Sequence, residues 1–354
     1  MKQKDTSWNR PLASDYAHAL GEECRAAGIA ILLGPGMNIY RHSQCGRNFE
    51  YLGEDPHLAS TMIEKYVIGL QNTGVAATLK HFAANSSDYF RRKSNSIVDE
   101  RTLHEIYLPA FKAGIDAGAM AVMTSYNLIN GEWCSQNINM IKNLLREKLG
   151  FEWLVMTDWW AIENSVKAIK SGLDLEMPAF DVLSSAKDLI EKGVVEESDI
   201  NRMVLSILKT CLAMGFYNNN FKNNNLIPSI FSHEKTALEI AEQGIVLLKN
   251  RENILPLVSD KTILLTGKFV EETAQIYIHD IQSTVERPEK ELKAYKKVFL
   301  HSGEKTNVQI ELKDKDFSFW DESKQDWFLE PGDFTLLIGS SSRDIHLSQN
   351  ITIM

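Results

Sequence analysis

The sequence lacks the features that a membrane-spanning or nucleic-acid-binding chain needs. No apolar run approaches the roughly 18 residues of a spanning helix, and the start, Met1 to Trp8, is polar, without the apolar core of a signal peptide. The 38 Lys and Arg residues are outnumbered by 47 Asp and Glu residues, which disfavours the basic surface that nucleic acids and anionic membranes attract. We therefore expect a cytoplasmic protein with no nucleic-acid or membrane partner.

Cysteine is scarce, and its spacing does not fit the common metal and redox motifs. The four cysteines lie far apart, without the close pairs of a zinc knuckle or a redox site: Cys24, Cys45, Cys134 and Cys211. We predict buried free thiols, with a disulfide as the alternative if the protein is exported. The sequence also contains neither a Walker phosphate loop nor a GxGxxG motif. We expect no metal and no cofactor.

The first 215 or so residues show the alternation of a β/α protein. Short apolar runs, each followed by polar or unusual residues, predict buried parallel strands at Ile29 to Leu33, Ala77 to Phe82, Ala121 to Ser125, Leu154 to Thr157 and Leu173 to Glu176. Between them, apolar residues at three- and four-residue spacings predict helices at Asp99 to Ala117 and at Ile138 to Leu149. This pattern is typical of the α/β class.

The pattern changes after the polar tract NNNFKNNN at Asn218 to Asn225, which we interpret as a linker. Thr236 to Lys249 predicts a helix that runs into a strand, and Lys261 to Thr266 predicts another strand, which is too little for a domain. The remaining segments alternate apolar and polar residues between turn signals, at Gln275 to His279, Lys297 to Leu300, Asn307 to Leu312 and Asp333 to Ile338. They predict a β-sandwich of the immunoglobulin or fibronectin type.

One carboxylate lies where chemistry on a sugar would need it. Cleavage of a glycosidic bond with retention uses a carboxylate nucleophile and, about 5 Å away, a carboxylic acid. Asp158 directly follows the apolar run 155–157 and precedes Trp159 and Trp160. It is therefore expected at the end of a strand, beside an aromatic surface for a pyranose ring. The alternative is an aspartate that caps the next helix.

Two further polar clusters also follow predicted strands. Lys80 and His81 end an apolar run, where a cation and an imidazole can bind neighbouring sugar hydroxyls. Their alternative is an exposed lysine beside an ordinary core histidine. In the loop after the first strand, Arg47 and Glu50 can form either a buried ion pair or a pair of hydroxyl ligands.

Four motifs of this part of the chain are long and specific: LLGPGMNIYRHSQCGRNFEYLGEDPHLA, LKHFAANSSDYFRRKSNSIVDERTLHEIYLPAF, AVMTSYNLINGEWC and VMTDWWA. In this order they closely resemble the β-glucosidase branch of glycoside hydrolase family 3, and the resemblance covers residues 8–270. Residues 275–347 are similar to the fibronectin-like domain of that family. The resemblance implies an incomplete TIM-type (β/α) barrel at 1–217, a linker and a remnant of an α/β sandwich at 218–274, and a fibronectin type III-like β-sandwich at 275–354.

The same resemblance implies roles for individual residues. Asp158 would be the nucleophile that forms a glycosyl-enzyme intermediate, and Tyr126 would lie beside it. Sugar hydroxyls and the sugar ring would be contacted by Arg47, Lys80, His81, Arg91 and Trp159. Asp88 occupies a position where the family usually has the longer glutamate.

Two parts of the family pattern have no counterpart in this sequence. The family's barrel begins with further strands and an Asp-Gly-Pro loop whose aspartate binds the sugar, whereas the resemblance here starts well inside that barrel. The family also has an α/β sandwich domain with the acid/base glutamate where this chain passes from Ala274 to Gln275. The resemblance therefore implies that the general acid is absent, and we do not expect Glu271 or Glu272 to replace it.

These observations predict an exo-acting, retaining β-glucosidase type of glycoside hydrolase. Its substrates would be terminal non-reducing β-D-glucosyl residues of small oligosaccharides or of aryl and alkyl β-glucosides. One alternative is a non-catalytic or vestigial sugar-binding protein, since the general acid is missing. A second alternative is β-xylosidase specificity, because both activities share the Lys-His and Asp motifs. The sequence does not predict the oligomeric state.

Overall fold

A sheet of short parallel strands carries the polar clusters predicted above. It is seen in a computed structural model that describes residues 7–178, 181–217, 221–247, 249–250, 270–300 and 306–353. The strand order is β1-β2-β4-β7, with β1 at Ile31–Leu32, β2 at Ala76–Phe82, β4 at Ala121–Thr124 and β7 at Leu154–Met156. A single parallel bridge from Met156 to Leu175 extends this sheet.

Helices connect the strands, as parallel pairing requires. The α-helices of this part are α1 (Arg10–Ala27), α2 (Pro56–Gln71), α3 (Glu100–Thr102), α4 (Leu108–Asp116), α5 (Ser165–Ser171), α6 (Ala186–Glu191), α7 (Glu197–Ala213) and α8 (His233–Gly244). Wider π-helical turns span Leu103–Tyr107 and Asn139–Lys148, and 3-10 turns span Asn48–Glu50, Cys134–Gln136, Val182–Ser185 and Asn224–Ser232. Small strands β3 (Asn95–Ser96), β5 (Leu128–Ile129) and β6 (Glu132–Trp133) form a separate sheet. None of the described helices combines the length and apolarity that a membrane crossing needs.

Both faces of the parallel sheet are buried, which explains why its strands are apolar throughout. Val122 and Val155 belong to the larger apolar cluster, which also contains residues of α2 and α4. Their neighbours along the strands, among them Met123 and Met156, form a second cluster on the opposite face. Since side chains alternate across a strand, these two clusters are the two sides of one sheet.

The predicted strands and helices exist, with shorter strands and irregular helices. The first strand is only Ile31–Leu32, and the segment around Leu175 makes a single bridge. The helix predicted at Asp99 to Ala117 begins at Glu100, with Asp99 as its cap, and widens into a π-turn at Leu103–Tyr107. Pro109 follows this turn and has no N–H for the regular hydrogen bond of an α-helix, which explains the irregularity.

The chain divides into two compact units, one at Arg10–Thr236 and another that begins at Ala237 and includes residues 7–9. The second unit contains a four-stranded antiparallel sheet of order β13-β12-β8-β9 and a hairpin of β10 and β11. The bounds are β8 (Val270–Asp280), β9 (Glu291–Leu300), α9 (Asp314–Phe317), β10 (Phe319–Asp321), β11 (Asp326–Phe328), β12 (Gly332–Ser341) and β13 (Asp344–Ile353). Its core includes Ile278, Phe317 and Phe334.

Four predictions for residues after 217 need correction or lie at least partly outside the described residues. Residues 307–312 form no strand, and Leu312 contributes to the core by packing alone. The helix predicted from Thr236 begins at His233 and ends at Gly244, and the following described residues form no strand. The strand predicted at 261–266 lies outside the described residues, as does the beginning of the polar tract at 218–220. The end of that tract is anchored, because the Asn223 amide donates to the Arg25 carbonyl at 2.8 Å.

A buried aspartate stabilises the start of β7. Asp174 is 2% exposed, and its Oδ2 accepts from the amide of Val155 at 2.8 Å. It also pairs with Arg202 at 2.8 Å and with Arg146, whose guanidinium in turn donates to the carbonyls of Trp153 and Gly172. Asp174 therefore holds the backbone at Val155 directly, and at Trp153 and Gly172 through its pairs with Arg146 and Arg202.

We expect Asp174→Ala to lower the free energy of unfolding by about 3 kcal/mol or more. The substitution leaves the buried Arg146 without its counter-charge, and breaking one partner of a buried pair costs about 3–5 kcal/mol. The measurement is urea unfolding followed by circular dichroism. Asp116→Ala, which removes an exposed carboxylate on α4, is the control and should change the free energy by less than about 0.5 kcal/mol. A similar small change for Asp174→Ala would contradict the role assigned to this cluster.

Candidate functional site

The polar site lies at the carboxyl ends of the parallel strands. Arg47 and Glu50 come from the loop after β1, Lys80 and His81 from the end of β2, and Asp158 follows the end of β7. The structure therefore brings together residues that are more than a hundred positions apart in the sequence. This edge of a β/α sheet is where ligand sites of such folds are built.

Asp158 is buried, and its two carboxylate oxygens differ in their hydrogen bonds. Its Oδ1 accepts from the amide of Trp159 at 2.8 Å, whereas its Oδ2 accepts no hydrogen bond from the described residues. The next helix, α5, is capped by Asn164, whose side chain accepts from the amide of Lys167. The helix-cap alternative for Asp158 is therefore wrong.

A network of two cations and one carboxylate lies next to Asp158. Glu50 forms an ion pair with the Nε of Arg47 and, through its other oxygen, with Nζ of Lys80 at 3.1 Å. Burial acts to raise the pKa of Glu50, but the hydrogen bond from Arg47 and the charge of Lys80 outweigh it, so the pKa is lowered. Arg47 Nη1 lies 3.8 Å from Asp158 Oδ2. Glu50 is thus held ionised and orients both cations.

His81 lies at the centre of this cluster. Its Nε2 is 3.0 Å from Arg47 Nη2 and 3.3 Å from Asp158 Oδ2. Burial and the neighbouring charges of Arg47, Lys80 and Arg91 lower the pKa of His81 well below its usual value. The ring is therefore neutral at physiological pH and does not neutralise the Asp158 carboxylate.

Tyr126 and Arg91 also belong to the cluster, with Tyr126 next to Asp158. The guanidinium carbon of Arg91 lies 4.2 Å from the centre of the Tyr126 ring, and Arg91 also pairs with Asp88 at 2.8 Å. Burial and the adjacent Asp158 carboxylate raise the pKa of Tyr126 to about 12. Tyr126 therefore remains a neutral hydrogen-bond donor beside Asp158.

Trp159 lies further inward than its sequence position suggests. It is partly buried and packs against the apolar cluster of Met123 and Met156. The neighbouring Trp160 is 54% exposed, and its carbonyl accepts from Arg92 at 2.6 Å. Of the two indoles, Trp160 presents more surface to solvent.

Sequence reasoning missed one residue of the cluster, Tyr51. Its hydroxyl lies 3.2 Å from His81 Nδ1, and its side chain is buried among the loops after β1. The available signal was its place directly after Arg47 and Glu50, at the end of the 3-10 turn Asn48–Glu50. Within the described ranges, no group of three or more His, Cys, Asp or Glu side chains is arranged to hold a metal ion.

Two buried histidines make the protein less stable in weak acid. Burial lowers the pKa of His81 well below its usual value and lowers that of His104 to about 4. In the unfolded chain a histidine binds its proton near pH 6.5. Between about pH 6.5 and pH 4 the unfolded state therefore binds more protons than the folded state, so these histidines decrease the free energy of unfolding as the pH falls.

We expect His104→Gln to remove part of this pH dependence. The decrease in the free energy of unfolding between about pH 7 and pH 5 should become smaller in the variant, by up to about 1.4 kcal/mol per pH unit for one titrating group. Urea midpoints at both pH values provide the measurement. His42→Gln, which replaces an exposed histidine, serves as the control. Identical pH slopes in the wild type and His104→Gln would contradict this assignment.

Fold and site together define an α/β protein of the barrel type with a buried carboxylate and two ion-paired cations at the ends of its strands. A family model described as glycosyl hydrolase family 3 N terminal domain matches residues 3–210, which is more than half of the chain. The chain belongs to glycosyl hydrolase family 3. A second model, described as a fibronectin type III-like domain, matches residues 272–342. The family resemblance noted in the sequence is thereby confirmed.

Curated relatives extend well beyond this chain. The thermostable β-glucosidase B of Acetivibrio thermocellus is 41% identical over 269 residues, which are 75% of this chain and 35% of that protein. An exo-α-(1→6)-L-arabinopyranosidase of Bifidobacterium longum is 36% identical over 257 residues, 71% of this chain and 33% of that protein. The chain spans about a third of the length of these curated relatives.

A solved structure shows the same fold. The structure of β-glucosidase 3B from Thermotoga neapolitana in complex with α-D-glucose aligns with a TM-score of 0.89 at 21% identity, covering 99% of this chain and 87% of that one. This likeness, with the two family models, confirms the predicted fold class of a TIM-type (β/α) barrel domain followed by a fibronectin type III-like domain.

Proposed function

We propose that this chain is the glycone-binding and nucleophile-bearing part of a retaining β-glucosidase. The observation that carries the proposal concerns Oδ2 of Asp158. This oxygen accepts no hydrogen bond from the described residues, and it lies just after the end of β7 beside Arg47 and His81. A carboxylate oxygen without a hydrogen-bond donor keeps its lone pairs for attack.

In this proposal Asp158 attacks the anomeric carbon of a terminal β-glucosyl residue. A bond forms between Oδ2 and that carbon, while the aglycone oxygen leaves with the bonding electron pair. Water then displaces Asp158 from the same carbon and loses a proton, which releases glucose with retained configuration. Lys80, Arg47 and His81 bind sugar hydroxyls on one side, and Tyr126 and Arg91 on the other. Trp159 contributes to the apolar wall beneath the ring.

The substrate class is inferred from the site and from the relatives. Ion-paired cations and a neutral imidazole suit the neutral, hydroxyl-rich face of a sugar. The relative from A. thermocellus is named a β-glucosidase, and that from B. longum acts on an arabinopyranoside by its name. We propose β-glucosides, either small oligosaccharides or aryl and alkyl glucosides, with pentopyranosides such as xylosides as the second choice.

A direct test is to trap the glycosyl intermediate. Incubation with 2-deoxy-2-fluoro-β-D-glucosyl fluoride, whose leaving group needs no proton, should attach one fluoroglucosyl group per chain. Mass spectrometry of proteolytic peptides should locate the group on Asp158. The corresponding fluoroxylosyl fluoride, used in parallel, reports the sugar preference. A chain that binds glucose but acquires no label would contradict the proposed nucleophile.

A second candidate function is sugar binding without turnover, and the state of Glu50 favours it. Glu50 and Asp158 both pair with Arg47. The ion pairs of Glu50 with Arg47 and Lys80 keep the Glu50 carboxylate ionised. It therefore has no proton to give to a leaving group. Isothermal titration with glucose and with cellobiose tests this candidate. Binding of both sugars with no hydrolysis of any glucoside would favour it over catalysis.

A further inference from the structure

The ring of His81 can hold its single proton on either nitrogen, and the contacts of Nε2 decide between them. Arg47 has only donors, and the planar guanidinium fixes the direction of its hydrogens. Its Nη2 forms a hydrogen bond with Nε2 at 3.0 Å. Nε2 therefore accepts from Arg47, and the proton of the neutral ring is on Nδ1.

The Nδ1 proton needs an acceptor, because the ring is only 1% exposed. The hydroxyl oxygen of Tyr51 lies 3.2 Å from Nδ1, and the two rings meet edge to face with centres 6.0 Å apart. Tyr51 is itself 5% exposed, and burial raises the pKa of its hydroxyl above the usual value. A neutral phenol thus faces Nδ1 and accepts its proton in a hydrogen bond.

The position of Tyr51 is fixed on two sides. The side-chain amide of Asn85 donates to its hydroxyl at 3.4 Å. On the other side the ring lies against Gly36, where an added Cβ would come within 2.8 Å of the ring and 2.9 Å of the Glu50 carbonyl. Only glycine allows this close approach. Gly36 also forms a bridge with Lys80, so the ring is fixed relative to the end of β2.

We infer that Tyr51 is a positioning residue that keeps the proton of His81 on Nδ1 and thereby leaves Asp158 Oδ2 without a donor. Oδ2 lies 3.3 Å from Nε2. If the proton moved to Nε2, it would point between Arg47 and Oδ2 and would occupy a lone pair of the carboxylate. With the proton on Nδ1, a sugar hydroxyl can donate to Nε2 only by displacing the Arg47 hydrogen from its one lone pair. This role for Tyr51 rests on the nucleophile assigned under the proposed function.

Nuclear magnetic resonance of the imidazole nitrogens tests the inference without any substrate. In uniformly ¹⁵N-labelled protein, long-range ¹H–¹⁵N correlation distinguishes protonated from unprotonated ring nitrogens, and the spectrum of His81→Gln identifies the His81 signals. We expect Nδ1 protonated and Nε2 unprotonated in the wild type. In Tyr51→Phe the Nδ1 proton loses its acceptor while Arg47 still opposes a proton on Nε2, so the form protonated on Nε2 should rise to a detectable fraction, and kcat for an activated aryl glucoside should fall by about half with little change in KM.

Tyr107→Phe is the matched control, since Tyr107 is also buried and its hydroxyl contacts Ser86 rather than His81. It should leave the His81 signals unchanged. If Tyr51→Phe fails to fold, Asn85→Ala should produce a smaller shift in the same direction. A wild-type ring protonated on Nε2, or signals unchanged in Tyr51→Phe and Asn85→Ala, would overturn the inference. Failure of the proposed function would appear separately, as absence of fluoroglucosyl labelling in the wild type.

Discussion

Asp158→Asn is expected to lower kcat/KM for an activated aryl β-glucoside by at least about 10³-fold, because it removes the carboxylate proposed to attack the anomeric carbon. The same substitution should not lower the free energy of unfolding. Asp158 Oδ2 accepts no hydrogen bond from the described residues, and Arg47 keeps its ion pair with Glu50 when the charge of Asp158 is removed. Loss of activity with preserved stability is the signature of a reactive group. Initial rates and urea midpoints give the two readouts.

Two further variants make this prediction specific. Asp116→Asn removes an exposed carboxylate far from the site in sequence and should leave the activity unchanged. Asp158→Ala creates space for a small anion, so added azide should displace the aryl oxide from the opposite face and yield an α-glucosyl azide. A variant at Asp158 that retains more than about a tenth of the wild-type rate, with the same β-configured product, would rule out the assigned nucleophile.

The second large effect concerns the leaving group. We expect the wild-type chain to act on cellobiose roughly 10²- to 10⁴-fold more slowly, in kcat/KM, than on an aryl glucoside with an acidic phenol. General acid catalysis is worth about this factor. Glu50, which pairs with the same Arg47 as Asp158, is held ionised by Arg47 and Lys80. A phenol that leaves readily as an anion needs no proton, whereas the hydroxyl of a sugar does.

A series of aryl glucosides that differ only in the acidity of the phenol measures this effect. The logarithm of kcat/KM should decrease steeply as the pKa of the phenol increases, since the glycone contacts stay constant. The glucosyl unit common to the series is the internal control for binding. A flat series, together with hydrolysis of cellobiose at ordinary enzyme rates, would show that a general acid is present.

Much of the barrel unit could be predicted because its strands are buried on both faces. Short apolar runs indicate such strands, as the fully buried β4 shows, and β2 keeps this pattern except at Thr78, Lys80 and His81. Their lengths were less predictable, since hydrogen-bond pairing between neighbours decides where a strand ends. The segment around Leu175 has a strand-like sequence but makes only one bridge. Apolar alternation alone also predicted a strand at 307–312, where Leu312 is packed in the core without any pairing.

The site was predictable where a residue lies near or just after the end of an apolar strand. Lys80 and His81 lie near the end of β2 and Asp158 follows β7, and the structure brings them together. Two features escaped local reasoning because they depend on contacts distant in sequence. Asn164 rather than Asp158 caps α5, and Tyr51 reaches His81 only because Gly36 leaves room for its ring. The amino-acid sequence does not indicate how closely two loops approach each other.

The Asp174 cluster has a consequence for how this protein could change over many generations. Asp174 binds the amide of Val155, three residues before Asp158 and about 10 Å away along the strand. Rigidity is therefore supplied within β7, whereas the proposed nucleophile follows the end of this strand. Substitutions in the loops around Asp158 could alter sugar preference without lowering the free energy of unfolding. Random libraries directed there should therefore yield many soluble variants. Libraries directed at Arg146, Asp174 and Arg202 should yield few.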